Sequence, residues 1–496
     1  MKQFTLDEVI SAIEGHPIYN CDEQVFATAV DIEGVTTDTR DMKPGEIFFA
    51  IKGENFDGHD YVEQALEAGV VAVVMSDRSK VPEKGITILV EDTVKALGML
   101  AKHYRFKLDC KVIGITGSVG KTSVKEFISE VCATSFKVWK TPANLNNEIG
   151  LAKTILSAPS DASVLVLEMG MRGEGQIRYL TNIACPDIAV ITGIGYSHIE
   201  LLGSRENIGR AKMEITEGLR DGGVLVVNGD DPYLLEIAKK ELSISHPLAA
   251  VSVDKEEDTD KMRNCMLFFR GTNIRQEDEG VSFDIEATLA DRKYHREDFR
   301  LKVSGAHNIR NALIACLCHT VLNIGTASEF SEDDAREHLA KIRCALLSHE
   351  KKAGRGATYR TRDYIVINDA YNAAPESMES AFENFNDLLG AKRKICALGN
   401  MLELGRFAPE LHRAVGEKCA SYKFDKVFIT GDNAEDFING ARDIDPDIDI
   451  IKCIDTEDVK NKLESFLTPG DAVLFKASHA FGFEALSEYF RAKGDA

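Results

Sequence analysis

Several features are missing from this 496-residue sequence, and each absence disfavours a class of protein. No run of eighteen apolar residues occurs, which argues against a membrane-spanning helix. No basic tract occurs either, and 80 acidic against 59 basic residues give a net charge of −21, which disfavours a nucleic-acid partner. The N-terminus lacks the basic and then apolar pattern of a secretion signal, so we expect a cytoplasmic protein.

The eleven cysteines include no Cys-x-x-Cys pair. The nearest two, Cys316 and Cys318, lie inside an apolar stretch. This pattern favours buried, reduced thiols over a disulfide framework or a metal site. The expected partner is therefore a small molecule, and an acidic chain that binds an anionic nucleotide must gather positive charge locally.

The chain contains a repeated alternation of apolar strands and helices, which is typical of α/β proteins. Because 496 residues exceed the size of a single core, we predict three domains, at residues 1–108, 109–348 and 349–496. Strands predicted at residues 112–116, 164–168, 188–194 and 224–228 indicate a central parallel sheet. Antiparallel hairpins are expected between residues 252 and 303, and a linker at 351–362. Strands at 364–368, 394–398, 426–430 and 472–476 predict a second doubly wound sheet.

The most informative segment follows the first central strand and precedes a helical pattern. It contains Gly117, Ser118, Val119, Gly120, Lys121, Thr122 and Ser123. Glycines let successive backbone N–H groups surround phosphate oxygens, a lysine offsets phosphate charge, and a threonine hydroxyl binds Mg²⁺. The strict phosphate-loop pattern has glycine where Ile115 stands, and the alternative is a strand-to-helix turn with incidental glycines. The flanking pattern favours an ATP site.

Two further candidates follow later central strands. Glu168 ends one strand, and His198 follows the next. Because the carboxyl ends of parallel strands share one edge of a sheet, both side chains are expected near the phosphate loop. Glu168 is a natural Mg²⁺ ligand there, although a strand-end acid can also be incidental. By composition alone, Lys212 is only a helix-surface lysine.

Taken together, these motifs resemble the Mur ligases. The resemblance rests on residues 114–122, 144–150, 168–170, 198–200 and 211–212, and it continues through all three predicted domains. It implies an N-terminal UDP-binding α/β domain, a central P-loop parallel-sheet domain that binds ATP, and a C-terminal Rossmann-like domain that binds the incoming amine. Residues 369–375 resemble the signature of those members that add D-alanyl-D-alanine, with Ala374 in place of an asparagine. Asn400 likewise replaces an aspartate.

The resemblance also implies roles for individual residues. The uridine-nucleotide substrate would be contacted by Thr39, Arg40, Asp57, Gly58, His59, Thr141, Asn144 and Asn147. ATP would be contacted by Asn308, Asn311, Arg355, Asp369 and Asn372 in addition to the phosphate loop. A helix cap is the alternative role for Asn308, and Arg360 or Arg343 could take the place of Arg355. The amine substrate would be contacted by Tyr371, Lys476, Ser478 and His479, the last standing where arginine is common.

The implied activity is ATP-dependent addition of D-alanyl-D-alanine to UDP-N-acetylmuramoyl-tripeptide through an acyl phosphate. The implied catalytic residues are Lys121, Glu168, His198 and Lys212. Two Mg²⁺ ions would be held by Thr122, Glu168, His198 and a carbamylated Lys212, since a carbamate turns a repelling ammonium into an anionic oxygen ligand. A monomer is expected. The alternatives are a Mur-type ligase that adds a single amino acid, and a catalytically silent nucleotide-binding homologue.

Overall fold

The computed structural model describes residues 4–20, 31–242, 246–253, 265–277, 280–289, 292–323, 332–350 and 354–495. Its helices and strands fall into three successive groups, each with its own main sheet. In the described part of the chain, no helix is both long and apolar enough to cross a membrane. The ten described cysteines are free thiols, and most of them are buried, as predicted.

The first group builds a five-stranded sheet in the order β2-β7-β6-β5-β4. Its elements are β1 (Phe4–Thr5), α1 (Leu6–Ala12), β2 (His16–Asn20), β3 (Asp31–Ile32), β4 (Gly34–Thr36), β5 (Glu46–Phe49), α2 (Val62–Glu67), β6 (Ala72–Met75), β7 (Gly85–Leu89) and α3 (Thr93–Lys107). Strands β4 to β7 are parallel, and β2 pairs antiparallel with β7. Asp92 caps α3 through the N–H groups of Val94 and Lys95.

The second group begins with β8 (Lys111–Thr116), which lies inside a sheet of nine described strands. It continues with α4 (Lys121–Cys132), β9 (Val138–Lys140), α5 (Glu148–Leu156), β10 (Val164–Glu168), α6 (Gln176–Ala184), β11 (Ile188–Ile191), α7 (Ile199–Leu202), α8 (Arg205–Met213), β12 (Val224–Asn228), α9 (Pro232–Glu241), β13 (Leu248–Val253), β14 (Leu267–Gln276), β15 (Val281–Leu289), β16 (Arg292–Leu301), α10 (Ala306–Asn323) and α11 (Glu332–Ser348). The order is β16-β15-β14-β13-β12-β11-β8-β10-β9. In this order, all neighbours from β14 to β9, including β8, pair parallel. Apolar residues are buried on both faces of the sheet.

Two details of this sheet differ from the sequence-based expectation. The predicted antiparallel segments are confirmed, but β14 also pairs parallel with β13, so the hairpins extend the central sheet. The strand predicted at 188–194 ends at Ile191, because the next residues leave the ladder to contact the phosphate loop. Gly193 O accepts the N–H of Ser118 at 3.0 Å.

The third group forms a sheet in the order β17-β18-β22-β19-β20-β21. Its elements are β17 (Ala357–Arg360), β18 (Ile365–Asn368), α12 (Pro375–Asn386), β19 (Lys394–Gly399), α13 (Ala408–Ser421), β20 (Lys426–Thr430), α14 (Ala434–Ile444), β21 (Ile450–Cys453), α15 (Thr456–Phe466), β22 (Ala472–Lys476) and α16 (Phe483–Asp495). Strand β17 lies at the edge of the sheet and pairs antiparallel with β18. The predicted linker over residues 351–362 is therefore wrong where this strand lies. Residues 351–353 are outside the described residues. The two predicted domain boundaries, at 108/109 and 348/349, fall between these groups and stand as our proposal.

Candidate functional site

A glycine-rich loop joins β8 to α4 and is held in place from both sides. Gly117 and Gly120 adopt φ of 150° and 84°, and Gly120 is the N-cap of α4. A Cβ on Gly117 would overlap the Thr192 hydroxyl, so a side chain there would push the loop away from the end of β11. The loop therefore presents the N-terminus of a twelve-residue helix in a fixed position, which suits an anion.

The ammonium group of Lys121 folds back over this loop. Its Nζ donates to Gly117 O at 2.8 Å and lies 3.4 Å from Ser118 O. Burial lowers the pKa of Lys121, Glu168 opposes that shift, and the positive charge of Arg355 adds to it. Both bonds are to neutral carbonyl groups, so the lysine can turn toward phosphate oxygens without leaving an ion pair.

Glu168 ends β10 beneath the loop and is 2% exposed. Its carboxylate accepts hydrogen bonds from the Thr122 hydroxyl and from Asn146 Nδ2, each at 2.9 Å. Its Oε2 also lies 3.3 Å from Nζ of the fully buried Lys125. Burial alone would raise the pKa of Glu168, but Lys125 and Lys121 together with the two hydrogen bonds lower it. The charged form of the carboxylate is therefore favoured, and its hydrogen bond with Thr122 places it next to the loop; its role as a Mg²⁺ ligand stays a prediction.

His198 follows β11 and adopts a left-handed backbone, with φ of 64°. Its Nδ1 lies 2.7 Å from Oε2 of Glu403, which belongs to the third domain. Burial lowers the pKa of His198; Glu403 opposes this, whereas Lys121 and Lys212 reinforce it. The imidazole therefore lies where two domains meet, within electrostatic reach of both predicted catalytic lysines.

Lys212 lies near the end of α8 and is 1% exposed, so it is not a surface lysine. No hydrogen bond or ion pair joins its ammonium to another residue in the part of the chain that the structure describes. Burial and the positive charge of Lys121 lower the pKa of Lys212 well below the usual value, and Glu376 opposes this weakly. Lys212 is therefore a buried lysine whose charged form is disfavoured.

The third domain closes a cleft of about 700 Å³ over the loop. Among its lining residues are Lys121, Glu168, Asn311, Arg355, Asp369, Tyr371, Asn372, Glu376 and Lys476. The guanidinium of Arg355 lies 4.0 Å from the centroid of the Tyr371 ring, and Lys476 Nζ lies 2.6 Å from Asp369 Oδ2. These contacts fix the two cations against the third domain while they face the central one.

The structure separates the three candidate arginines. Arg355 lies with Thr122 and Ser123 in a small side pocket, and Asn308 lines the same pocket. Arg360 instead donates to Leu389 O at 3.2 Å, and Arg343 stacks 5.2 Å from the Phe299 centroid. Only Arg355 of these three is therefore near the phosphate loop.

Asn308 and Asn311 lie on α10, three residues apart and both buried. Asn308 Nδ2 donates to Ser304 O at 2.6 Å, so this amide also fixes the start of the helix. Its Oδ1 is left for another donor. A contact with the adenine base stays a prediction for both residues.

The predicted uridine-nucleotide residues of the first domain form a tightly bonded turn. Asp57 Oδ1 accepts the backbone N–H of His59 at 3.0 Å and lies 2.6 Å from His59 Nδ1. The N–H of Ser76 donates to Nε2 at 3.0 Å, so Nδ1 carries the ring proton. A Cβ on Gly58 would come within 2.8 Å of Ile51 backbone atoms. His59 is thus an internal support, and its contact with UDP stays a prediction.

The other residues predicted to contact UDP differ in exposure. Arg40 is 85% exposed in its side chain and pairs with Asp38 at 2.6 Å, and Thr39 next to it is half-buried. Thr141 is buried, and its hydroxyl accepts the N–H of Glu168 at 2.9 Å. Asn147 caps α5 through the N–H of Gly150 at 2.8 Å, whereas Asn144 is exposed. Thr141 and Asn147 therefore have structural roles, and substrate contacts stay predictions for this set.

Two predicted amine-substrate residues are not found among the described residues that line the cleft. Ser478 is buried, and its hydroxyl accepts the N–H of Leu402 at 3.0 Å. His479 is 74% exposed, and its ring lies 6.1 Å from that of Tyr371. Tyr371 and Lys476 do line the cleft. Two of the four residues predicted to contact the amine substrate therefore line the cleft.

Sequence reasoning missed Lys125, Asn146 and Glu376. Lys125 carried a signal, since it lies one helical turn after Lys121 and shares its helix face. Asn146 was part of a recognised motif without an assigned role. Glu376 carried no local signal, because its neighbours come from the central domain.

The side chains around the loop fit a magnesium ion that arrives with ATP. In the chain as described, no three or more His, Cys, Asp or Glu side chains converge into a ready-made metal site. The nearby donors are the Thr122 hydroxyl and the Glu168 carboxylate, 2.9 Å apart. Mg²⁺ prefers such oxygen ligands and commonly completes its shell with substrate phosphates and water.

Comparisons with known proteins agree with this geometry. The Mur ligase family, catalytic domain model matches residues 31–105, the Mur ligase middle domain matches 115–319, and the Mur ligase, glutamate ligase domain matches 354–479. The UDP-N-acetylmuramoyl-tripeptide–D-alanyl-D-alanine ligase of Bacillus subtilis (strain 168) is 36% identical over 458 residues, which is 92% of each chain.

Two solved structures extend the likeness to the whole fold. MurF from Acinetobacter baumannii has a TM-score of 0.81 and 25% identity, with 99% of each chain covered. The MurF ligase from Thermotoga maritima in complex with ADP has a TM-score of 0.74 and 27% identity, covering 93% of this chain and 97% of that one.

Proposed function

Because this chain belongs to the Mur ligase family, we propose that it is an ATP-dependent ligase that joins D-alanyl-D-alanine to UDP-N-acetylmuramoyl-tripeptide during peptidoglycan precursor synthesis. One observation carries the proposal. The phosphate loop and Glu168 of the central domain face Asp369, Tyr371 and Lys476 of the third domain across one cleft. An enzyme that activates a carboxylate with ATP and then admits an amine needs both walls.

The first step joins two anions. The terminal carboxylate of the acceptor peptide attacks the γ-phosphorus of ATP, the bond to the bridging oxygen breaks, and ADP leaves with that electron pair. Lys121 and the N-terminus of α4 offset the charge that gathers on the phosphoryl oxygens. Arg355 is held by Tyr371 where it can contact the same phosphates once the third domain is docked.

Two Mg²⁺ ions are part of the proposal. Thr122 and Glu168 would hold one, and His198 and a carbamylated Lys212 would hold the other; the ions supply charge neutralisation at the phosphates. The lowered pKa of Lys212 supports the carbamate, because only the uncharged amine reacts with CO₂. That reaction forms an N–C bond and releases one proton, which leaves an anionic oxygen ligand on a side chain that has no described partner.

The three domains divide the substrates. The first would bind the uridine nucleotide, the second ATP and the third the incoming amine, and docking of the third excludes water that would hydrolyse the acyl phosphate. We propose a monomer that acts in the cytoplasm, where ATP and nucleotide-linked precursors are available.

Product analysis by mass spectrometry tests the function. With ATP, Mg²⁺, UDP-N-acetylmuramoyl-tripeptide and D-alanyl-D-alanine, one UDP-linked pentapeptide should appear for each ADP. ADP without the peptide product would reduce the chain to an ATPase. If neither ADP nor the peptide product appears, the chain is a catalytically silent homologue.

A further inference from the structure

The third-domain wall of the cleft contains a carboxylate with one unused oxygen. Glu376 lies in the first turn of α12, and its Oε1 accepts the N–H of Tyr196 from the central domain at 2.8 Å. Its Oε2 is buried, and none of the described residues forms a hydrogen bond with it. A buried acceptor without a hydrogen bond is energetically unfavourable. The oxygen is therefore suited to a donor that arrives with a substrate.

The charged groups that face Glu376 leave this oxygen available. Arg205 of α8 is close enough to affect its charge, but lies 3.5 Å from Oδ1 of Asp231, which precedes α9. Lys212 lies on the same helix within electrostatic reach of Glu376, but among the described residues no hydrogen bond or ion pair joins the two side chains. Burial raises the pKa of Glu376 itself, which makes its carboxylate a better proton acceptor than an exposed one.

The approach of Glu376 to the central domain depends on a glycine. A Cβ on Gly195 would overlap the Glu376 carboxylate. The N–H of Gly195 donates to Ser118 Oγ of the phosphate loop at 2.8 Å, and the next N–H, that of Tyr196, donates to Glu376. Two successive backbone donors thus join the phosphate loop to the third domain and hold Oε1 of Glu376, a residue that lines the cleft.

Resting on the function proposed above, we propose that Glu376 Oε2 binds the ammonium group of the incoming D-alanyl-D-alanine and removes one of its protons. An ammonium is the donor that a buried carboxylate pairs with best, and it cannot attack a carbonyl carbon until it loses a proton.

One N–H bond breaks, its electron pair stays on nitrogen, and the proton goes to Oε2. The nitrogen lone pair forms the C–N bond at the acyl phosphate carbon while the carbonyl π pair moves onto its oxygen. That pair then re-forms the C=O bond, the C–O bond to phosphate breaks, phosphate leaves with the C–O bonding pair, and the second nitrogen proton is lost to phosphate or water.

Substitution of Glu376 by glutamine separates proton transfer from packing. In E376Q the amide oxygen still accepts the Tyr196 N–H, so the domain contact is kept while the base is lost. We expect kcat/KM for D-alanyl-D-alanine to fall by about 10²-fold or more, the range for one general base. E435Q is the control, since Glu435 lies on α14 of the third domain away from the cleft and pairs with Lys452 at 3.0 Å.

Hydroxylamine supplies the second readout. It is largely uncharged at neutral pH and converts an acyl phosphate to a hydroxamate without help from a base. With ATP, Mg²⁺ and UDP-N-acetylmuramoyl-tripeptide, E376Q should form hydroxamate at the wild-type rate. Loss of hydroxamate as well as peptide would mean that Glu376 only holds the domains together, and normal kcat/KM in E376Q would also overturn the proposal.

Measurements on wild type distinguish failure of the proposed ligase function from failure of the proposed role of Glu376. If wild type fails to use D-alanyl-D-alanine but ligates a single amino acid, the proposed function is wrong. The glutamine variant is then measured with that amino acid, which also arrives as an ammonium ion. The role of Glu376 stands if E376Q slows that amine and spares hydroxylamine, and falls if it does not.

Discussion

Truncation of Glu168 to alanine should strongly destabilise the ligand-free protein, because the residue anchors a buried charge cluster. The side chain is 2% exposed, accepts two hydrogen bonds at 2.9 Å and lies 3.3 Å from Lys125 Nζ. Breaking one partner of a buried ion pair costs about 3–5 kcal/mol. In E168A, Lys125 would still lie 3.7 Å from Glu126 and donate to Ala143 O at 3.2 Å. We therefore expect a loss of unfolding free energy in the lower part of this range, about 3 kcal/mol.

Urea unfolding of the ligand-free protein measures this loss, and a double-mutant cycle with K125M is its control. Removing both charges leaves no unpaired buried ion, so E168A/K125M should lose less stability than the two single losses added together. Because the pKa of Glu168 is lowered in the fold, its contribution to unfolding free energy is full above the unfolded-state carboxyl pKa. It is lost as pH falls through the folded-state value. An unchanged urea midpoint in E168A, or strict additivity in the cycle, would contradict a stabilising buried ion pair between Glu168 and Lys125.

Three further predictions follow from other buried groups. K121A should lower turnover by about 10²-fold or more with little change in the urea midpoint, because among the described residues the Lys121 ammonium bonds to two loop carbonyls alone; loss of stability instead of turnover would contradict this. Wild type should slow when bicarbonate and CO₂ are rigorously removed, and should recover on their return, whereas K212A should be inactive under both conditions; indifference of wild type to CO₂ would exclude the carbamate. Burial lowers the pKa of His319 to about 4, so the neutral ring is favoured in the fold and stability should fall by about 3 kcal/mol as pH drops from about 6.5 to 4. H319Q should lack that part of the pH dependence, and identical unfolding profiles for the two proteins would refute it.

The sequence predicted the strands of the two doubly wound sheets well, because fully buried parallel strands are short apolar runs. Val164–Glu168, Val224–Asn228 and Ala472–Lys476 have the predicted bounds. The strand Val138–Lys140, at the sheet edge, was not predicted, since its three residues are only half-buried and carry no continuous apolar run.

The phosphate loop and Glu168 could be predicted because their chemistry depends on residues adjacent in sequence or on a shared sheet edge. Lys212 shows the limit of such reasoning. A lysine on a short helix is ordinarily exposed, and only the packing of α8 under the cleft makes it 1% exposed. The same holds for Glu376, whose oxygen meets Tyr196 across 180 residues of chain. Contacts between domains leave no periodic signal in either segment.

The most direct test of the account is a matrix of acceptors and amines, read by phosphate release and product mass. With ATP and Mg²⁺, the pair of UDP-N-acetylmuramoyl-tripeptide and D-alanyl-D-alanine should give steady turnover, for an acceptor whose third residue is lysine or diaminopimelate. Single lysine or diaminopimelate should not replace the dipeptide. Faster turnover with a UDP-dipeptide acceptor and a single diamino acid would contradict the account and assign the chain to a neighbouring Mur ligase activity.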